Sequence, residues 1–199
     1  MTDVVAMKHG RDDSLTAVAT YSIRIIGDPV LKQRAGEIDN IDDKLVQLAD
    51  DMFDVMYDAP GMGLAAPQVG VQKRLFVYEY HDEPGVLINP TITESDGEWT
   101  YSEGCLSIPG LYFEITRPKT VLLQGVDLDG KDVSIEADEI QARLYQHELD
   151  HLNGTLMTEH LTDAQAKAAK KHLLELRLDG RHKGPAVIIG EDGALLSDD

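Results

Sequence analysis

Two histidines and a glutamate carry the strongest chemical signal in this chain. In Gln146-His147-Glu148-Leu149-Asp150-His151 the histidines are four apart, so on a helix both imidazoles project from one face and can address one metal ion. Glu148, one position round, can reach a water held at such an ion without ligating it. Ile140, Leu144, His147 and His151 follow a four, three, four spacing, which extends the apolar stripe through the histidines and directs them inward. Two buried imidazoles one turn apart repel if both are protonated, and each needs a polar partner. A shared metal meets both demands. Two core histidines bonded to backbone carbonyls are the plainer alternative.

A hydrolytic metal site takes three protein ligands and keeps a fourth position open. Downstream candidates for the third ligand are Glu159, His160, His172 and His182, but Met157 stands where an HExxHxxGxxH pattern would place a histidine. Upstream, the only cysteine, Cys105, lies in Glu103-Gly104-Cys105-Leu106-Ser107. A thiolate is a strong ligand for zinc or ferrous iron, whereas a lone cysteine is ordinarily a small buried hydrophobe.

The elements that must position these groups are legible in outline. Leu45, Leu48, Ala49, Met52, Phe53 and Met56 recur at helical spacing, and Ala59-Pro60-Gly61 stops the run, which predicts a helix over 42–58. Between 75 and 137 the pattern turns to short β-rich runs, LFVYEY, GVLINPTIT, LYFEITR, TVLLQGVDL and DVSIEA, with a hairpin signal at Asp129-Gly130. A second helix is expected over 138–153, with Asp138 and Gln141 as a capping box and Gly154 just past its end. A third is expected over 163–179, with Thr162 and Gln165 at its start and Gly180 after it. The expected fold class is α+β: antiparallel strands packed around a central metal-binding helix, with an N-terminal and a C-terminal helix.

Composition sets the bounds. The chain has 199 residues, enough for one domain with a proper core, and its 42% apolar and 27% charged content is that of a globular protein. Residues 1–19 read as a flexible extension, 20–180 as one catalytic domain and 181–199 as an acidic tail. A net charge of −18 argues against DNA as a partner. No apolar run is long enough for a membrane helix, and no signal-peptide core is present. One cysteine fits a reducing compartment, so a cytoplasmic protein is expected.

Three segments together resemble peptide deformylase, a family of metal hydrolases that remove the formyl group from the N-terminal methionine of newly made chains. Gly61-Met62-Gly63-Leu64-Ala65-Ala66-Pro67-Gln68 matches the family's GxGxAAxQ, Glu103 to Ser107 its EGCxS, and Gln146 to His151 its QHExDH. All three occur in the family's order. The resemblance implies that Cys105, His147 and His151 hold one divalent ion, with Glu148 as general base and then acid. It also implies that Gln68 and the backbone N–H of Leu106 stabilise the oxyanion. The family works typically with Fe2+ and accepts Ni2+ or Co2+; Zn2+ suits the ligand set as well.

Further roles follow from the same resemblance. Gly61 and Gly63 let the backbone lie close beside an extended peptide. Met62, Leu106 and Leu144 are candidates to line an apolar pocket for the methionine side chain. Glu103 is expected to pair with Arg117 and brace the loop of Cys105, and Asp150 to orient a ligand imidazole or to be solvated. Arg143 departs from the pattern, because many relatives carry an apolar residue at that place near the pocket. It raises another N-acyl amide as the alternative substrate class. Formylated nascent peptides are the expected partners. The stretch 160–183, which holds the third helix, is locally basic, with Lys167, Lys170, Lys171, Arg177, Arg181 and Lys183, and family members can dock on the ribosome through a basic C-terminal helix. A structural metal module fits poorly, since it has no use for Glu148.

Overall fold

The computed structural model describes residues 21–178 and 187–196. In chain order, α1 (Asp43–Asp58) is followed by β1 (Gly63–Ala65), β2 (Leu75–Tyr80), β3 (Glu83–Asp96), β4 (Trp99–Cys105), β5 (Ile108–Arg117), β6 (Thr120–Val126) and β7 (Asp132–Asp138). Then come α2 (Glu139–Asn153), α3 (Asp163–Leu178), β8 (Val187–Ile189) and β9 (Leu195–Leu196). One sheet has the order β1-β2-β3-β6-β7 and the other β4-β5-β8-β9. The fold is α+β, and among the described strands every pairing is antiparallel except β5 with β8.

The five-stranded sheet is buried on both faces where β1 and the start of β2 lie, which explains why Leu75, Phe76 and Val77 of β2 do not alternate with polar residues. Leu75 and Val77 join Leu45, Leu48, Met52 and Met56 of α1 in one cluster. Phe76, pointing the other way, packs with Ala142, Leu144, Tyr145 and Leu152 of α2. The sheet thus lies between α1 and α2, and α2 is enclosed without a break from Ala142 to Glu148. A helix with Arg143, Gln146, His147 and Glu148 all buried needs a polar partner for each head group. The second sheet packs Ile108, Leu111, Phe113 and Ile115 with Met157, Ala169 and Ile189.

The helix ends follow the sequence in part. Asp42 caps α1 through its carboxylate, which accepts from Leu45 N–H at 2.9 Å. Thr162 and Gln165, expected at the start of α3, form a reciprocal box there. Asp138 makes no capping bond. β7 runs directly into α2 through Glu139 at φ 43°, whose N–H donates to Lys119 O at 2.8 Å, and Gln141 donates instead to the Tyr145 hydroxyl. Gly154 closes α2 in the left-handed conformation, and a Cβ there would stand 2.9 Å from the backbone of Lys32 and Gln33.

β1, β4, β8 and the two-residue β9 lie outside the runs expected from the sequence pattern. β1 is too short, and β4 too polar, for periodicity to reveal them. β8 lies within the stretch read as an acidic tail: Val187, Ile188 and Ile189 pair with Leu111, Tyr112 and Phe113, and Ile189 is wholly buried. The expected extension over 1–19, Gly180, Arg181 and Lys183 lie outside the described residues.

Candidate metal centre

β4 delivers Cys105 at its last residue, and consecutive turns of α2 deliver His147 and His151. The donor atoms of these three side chains all lie within 4.8 Å of one another. Cys105 Sγ is 3.3 Å from His151 Nε2, and the two imidazole rings are 4.9 Å apart at 78°. Among the described residues no other group of three His, Cys, Asp or Glu side chains converges in this way. A thiol with two imidazoles fits a divalent ion of the zinc or ferrous type. The distant Cys105 is thus the third donor in the group, and the downstream candidates Glu159, His160 and His172 are not part of it. His182 lies outside the described residues.

Glu103 organises the ligand side of α2. Its Oε1 is 2.7 Å from His147 Nδ1 and accepts from Arg117 Nη2 at 2.7 Å. Its Oε2 accepts from Arg117 Nε at 2.7 Å and Arg143 Nη1 at 2.9 Å. The expected Glu103–Arg117 pair is therefore present, bidentate and buried. Burial works against the Glu103 charge, but Arg117 and then His147 outweigh it and hold the carboxyl well below the usual range. Asp150 accepts from Arg117 Nη1 at 2.9 Å and meets His160 Nε2 at 2.7 Å. It braces Arg117 and does not bond a ligand imidazole.

The two imidazoles are electrically unlike. Burial disfavours charge on His147, yet Cys105 and Glu103 favour it more, and its pKa moves up. His151 is pushed down by burial and by His147. A second positive charge on this pair is thus strongly opposed.

Glu148 is buried beside them, and its Oε2 has no hydrogen-bond partner among the described residues. Burial pushes its pKa up to about 7. Gln68, also buried, accepts from Ala65 N–H at 2.8 Å through Oε1. That bond orients the amide, so Nε2 donates to Ser107 Oγ at 3.2 Å and faces Cys105 Sγ at 3.9 Å.

A cleft of about 850 Å³ opens over these groups, lined by Gly61, Met62, Gly63, Leu106, Leu144, His147 and Glu148 among others. Leu144 is buried within it, whereas Met62 is 47% exposed at its rim. Gly63 has a steric reason: a Cβ there would meet Glu148 Oε1 and Leu144 Cδ1. At Gly61 the neighbour would be Leu106 Cδ1.

Arg143 borders the cleft, but its guanidinium turns to Glu103 and to Trp99 O, to which Nη2 donates at 2.7 Å. Sequence reasoning missed this. No signal along the chain marks Trp99, because the partner lies 44 residues upstream and its hydrogen bond uses the backbone carbonyl.

A profile described as Polypeptide deformylase matches residues 20–167. The chain belongs to the polypeptide deformylase family. The peptide deformylase of Hydrogenovibrio crunogenus is 46% identical over 155 residues, covering 74% of this chain and 92% of the relative. Among solved structures, a peptide deformylase from Legionella pneumophila superposes with a TM-score of 0.76 at 38% identity, covering 82% of this chain and 99% of that one. A Synechococcus elongatus family member in complex with actinonin gives 0.74 at 39% identity, over 83% and 90%. All three segments that carried the resemblance lie inside the matched range.

Proposed function

We infer that this chain is a metal-dependent amide hydrolase that removes the formyl group from the N-terminal formylmethionine of newly made polypeptides. The observation that carries this reading is the convergence of Cys105, His147 and His151 beside the buried carboxyl of Glu148, within a chain of this family. Cys105, His147 and His151 would hold a divalent ion, whose Lewis acidity would acidify water and polarise the formyl carbonyl. Glu148, with a pKa near neutrality, accepts the proton of the attacking water and returns it to the departing amine. Gln68 Nε2 and the backbone N–H of Leu106 donate to the oxygen on which charge develops, each worth about 3 kcal/mol. Glu103 and Arg117 hold His147 in one orientation and one tautomer. Gly61, Met62, Gly63 and Leu144 receive the peptide and its methionine side chain.

In the cell the ion is Fe2+, and Zn2+, Ni2+ or Co2+ can take its place in purified protein. The protein works in the cytoplasm, and no described helix is long and apolar enough to cross a membrane. α3 docks on the ribosome through Lys167, Lys170 and Lys171. Unchanged ribosome co-sedimentation after all three are replaced by Glu would end that part of the reading. Hydrolysis of another N-acyl amide is less favoured, because the residue that raised it, Arg143, directs its guanidinium to Glu103 and Trp99.

The deciding assay is amine release from a formyl-Met tripeptide by protein purified without oxygen, its metal content determined in the same sample. Acetyl-Met and formyl-Leu peptides run alongside. Fast release from formyl-Met alone is expected. A metal-loaded sample that leaves formyl-Met intact overturns the reading.

A further inference from the structure

We propose that Arg143 is a positioning residue for the metal centre, acting through Glu103 on His147 and tying the helix that carries two ligands to the strand that carries the third. The inference rests on Cys105, His147 and His151 as the ligand set.

The ligands come from elements far apart in sequence: Cys105 from the end of β4, His147 and His151 from α2. Their relative placement depends on what joins the two elements at the site. Arg143 stands one turn before His147 on α2. Nη1 reaches Glu103, two residues before Cys105, and Nη2 reaches the carbonyl of Trp99, the first residue of β4. Its guanidinium also lies 5.2 Å from the centroid of the Trp99 ring. One side chain of α2 therefore grips β4 at two points, on either side of Tyr101. Arg117 forms the complementary tie: from β5 it holds Glu103 of β4 and Asp150 of α2.

Glu103 shows why both arginines are needed. It is 5% exposed and accepts on both oxygens, Oε1 from Arg117 and His147 Nδ1, Oε2 from Arg117 and Arg143. Without Arg143, Oε2 keeps only its Arg117 bond, and the direct tie from Glu103 to the turn of α2 just before His147 is lost. Among the described residues, the His147 Nδ1 contact to Oε1 is then the one remaining side-chain bond from this part of α2 to Glu103, and it must position the ligand by itself. A guanidinium makes these two bonds from separate nitrogens fixed in one plane, whereas an ammonium offers a single nitrogen on a shorter reach and cannot reproduce that geometry. Groups that orient metal-binding histidines contribute about 10-fold to 100-fold in metal affinity.

The test measures release of Zn2+ from the loaded, full-length protein to a chromophoric chelator, together with kcat and KM on formyl-Met, formyl-Leu and formyl-norleucine peptides. Arg143→Gln is expected to release Zn2+ about tenfold faster or more and to lower kcat with KM little changed. In a Glu103→Gln background the same substitution adds little, because the residue it acts through is already altered. Arg143→Lys, which keeps a charge but loses the simultaneous grip on Trp99, falls between the two. Unchanged Zn2+ release in Arg143→Gln overturns the proposal, as does a change confined to KM and side-chain preference, which marks a pocket wall only. Equal effects in both backgrounds also overturn it. If Arg143→Gln does not fold, Arg143→Lys decides, and wild-type release from it counts against the proposal. His147→Ala is the separate control: if it still holds Zn2+ tightly, the ligand assignment itself fails.

Discussion

Gly63 and Glu148 face each other so closely that a Cβ on residue 63 would stand 2.5 Å from Glu148 Oε1 and 2.9 Å from its Cδ. Leu144 Cδ1, at 2.6 Å, closes the other side. The three-residue strand β1 is therefore pressed against the base-bearing face of α2, and only glycine permits that approach.

Gly63→Ala displaces the Glu148 carboxyl, and a displacement of about 1 Å costs on the order of 100-fold in rate. Steady-state kinetics should show the loss mainly in kcat, with circular dichroism unchanged. Full activity would mean that Glu148 need not be held where it lies.

Glu148→Gln should lower activity by about 10²-fold to 10⁴-fold while the metal stays bound, read by metal analysis of the same sample. Its effect on stability has the opposite sign. The carboxyl's pKa rises from 4.5 to about 7 on folding, so above pH 4.5 the folded state holds a proton that the unfolded state has released. Stability due to this group falls as pH rises from 4.5 to 7 and is level beyond. Metal-free Glu148→Gln is then more stable than the parent at pH 8, by up to about 3 kcal/mol, and the gap narrows as pH falls to 5. Urea unfolding at pH 5 and pH 8 checks both the sign and the window.

Removing the metal should be felt across the fold, because the three donors join β4 to α2. Chelation should lower Tm and abolish activity, and metal at 100 times its Kd should restore about 2.7 kcal/mol. Cys105→Ala should bring the Tm of the treated and untreated samples together. A chelator-induced shift that survives Cys105→Ala would place the metal elsewhere.

Ile189, wholly buried between β5 and α3, anchors the strand that follows α3. Ile189→Ala should cost about 2–5 kcal/mol in denaturant unfolding. Gln165→Ala should loosen the same strand, since Gln165 Nε2 donates to Glu114 O and Ile189 O. Cys105 packs against the edge of this cluster, but neither Ile189 nor Gln165 lines the cleft, so kcat measured well below Tm should stay close to that of the parent in both.

Much of this protein is legible along the chain, because the relevant physics is local. The four-residue step from His147 to His151 puts two imidazoles on one helical face, and Gly154 ends that helix whatever surrounds it. Leu75 to Tyr80 forms the strand its composition predicts. The motifs around Gly61, Cys105 and His147 pointed to the family before any fold was known. Other features depend on contacts distant in sequence. Cys105 became a partner of His151 only when β4 was laid against α2, 46 residues away. Arg143 looked like an intruder in an apolar pocket, and its meaning came from a carbonyl and a carboxylate 44 and 40 residues upstream. β1, β4 and β8 are too short or too polar to declare themselves, and they are strands because neighbouring strands supply their hydrogen-bond partners. Periodicity records which face of an element is buried; what it is buried against is set by the packing of the whole chain.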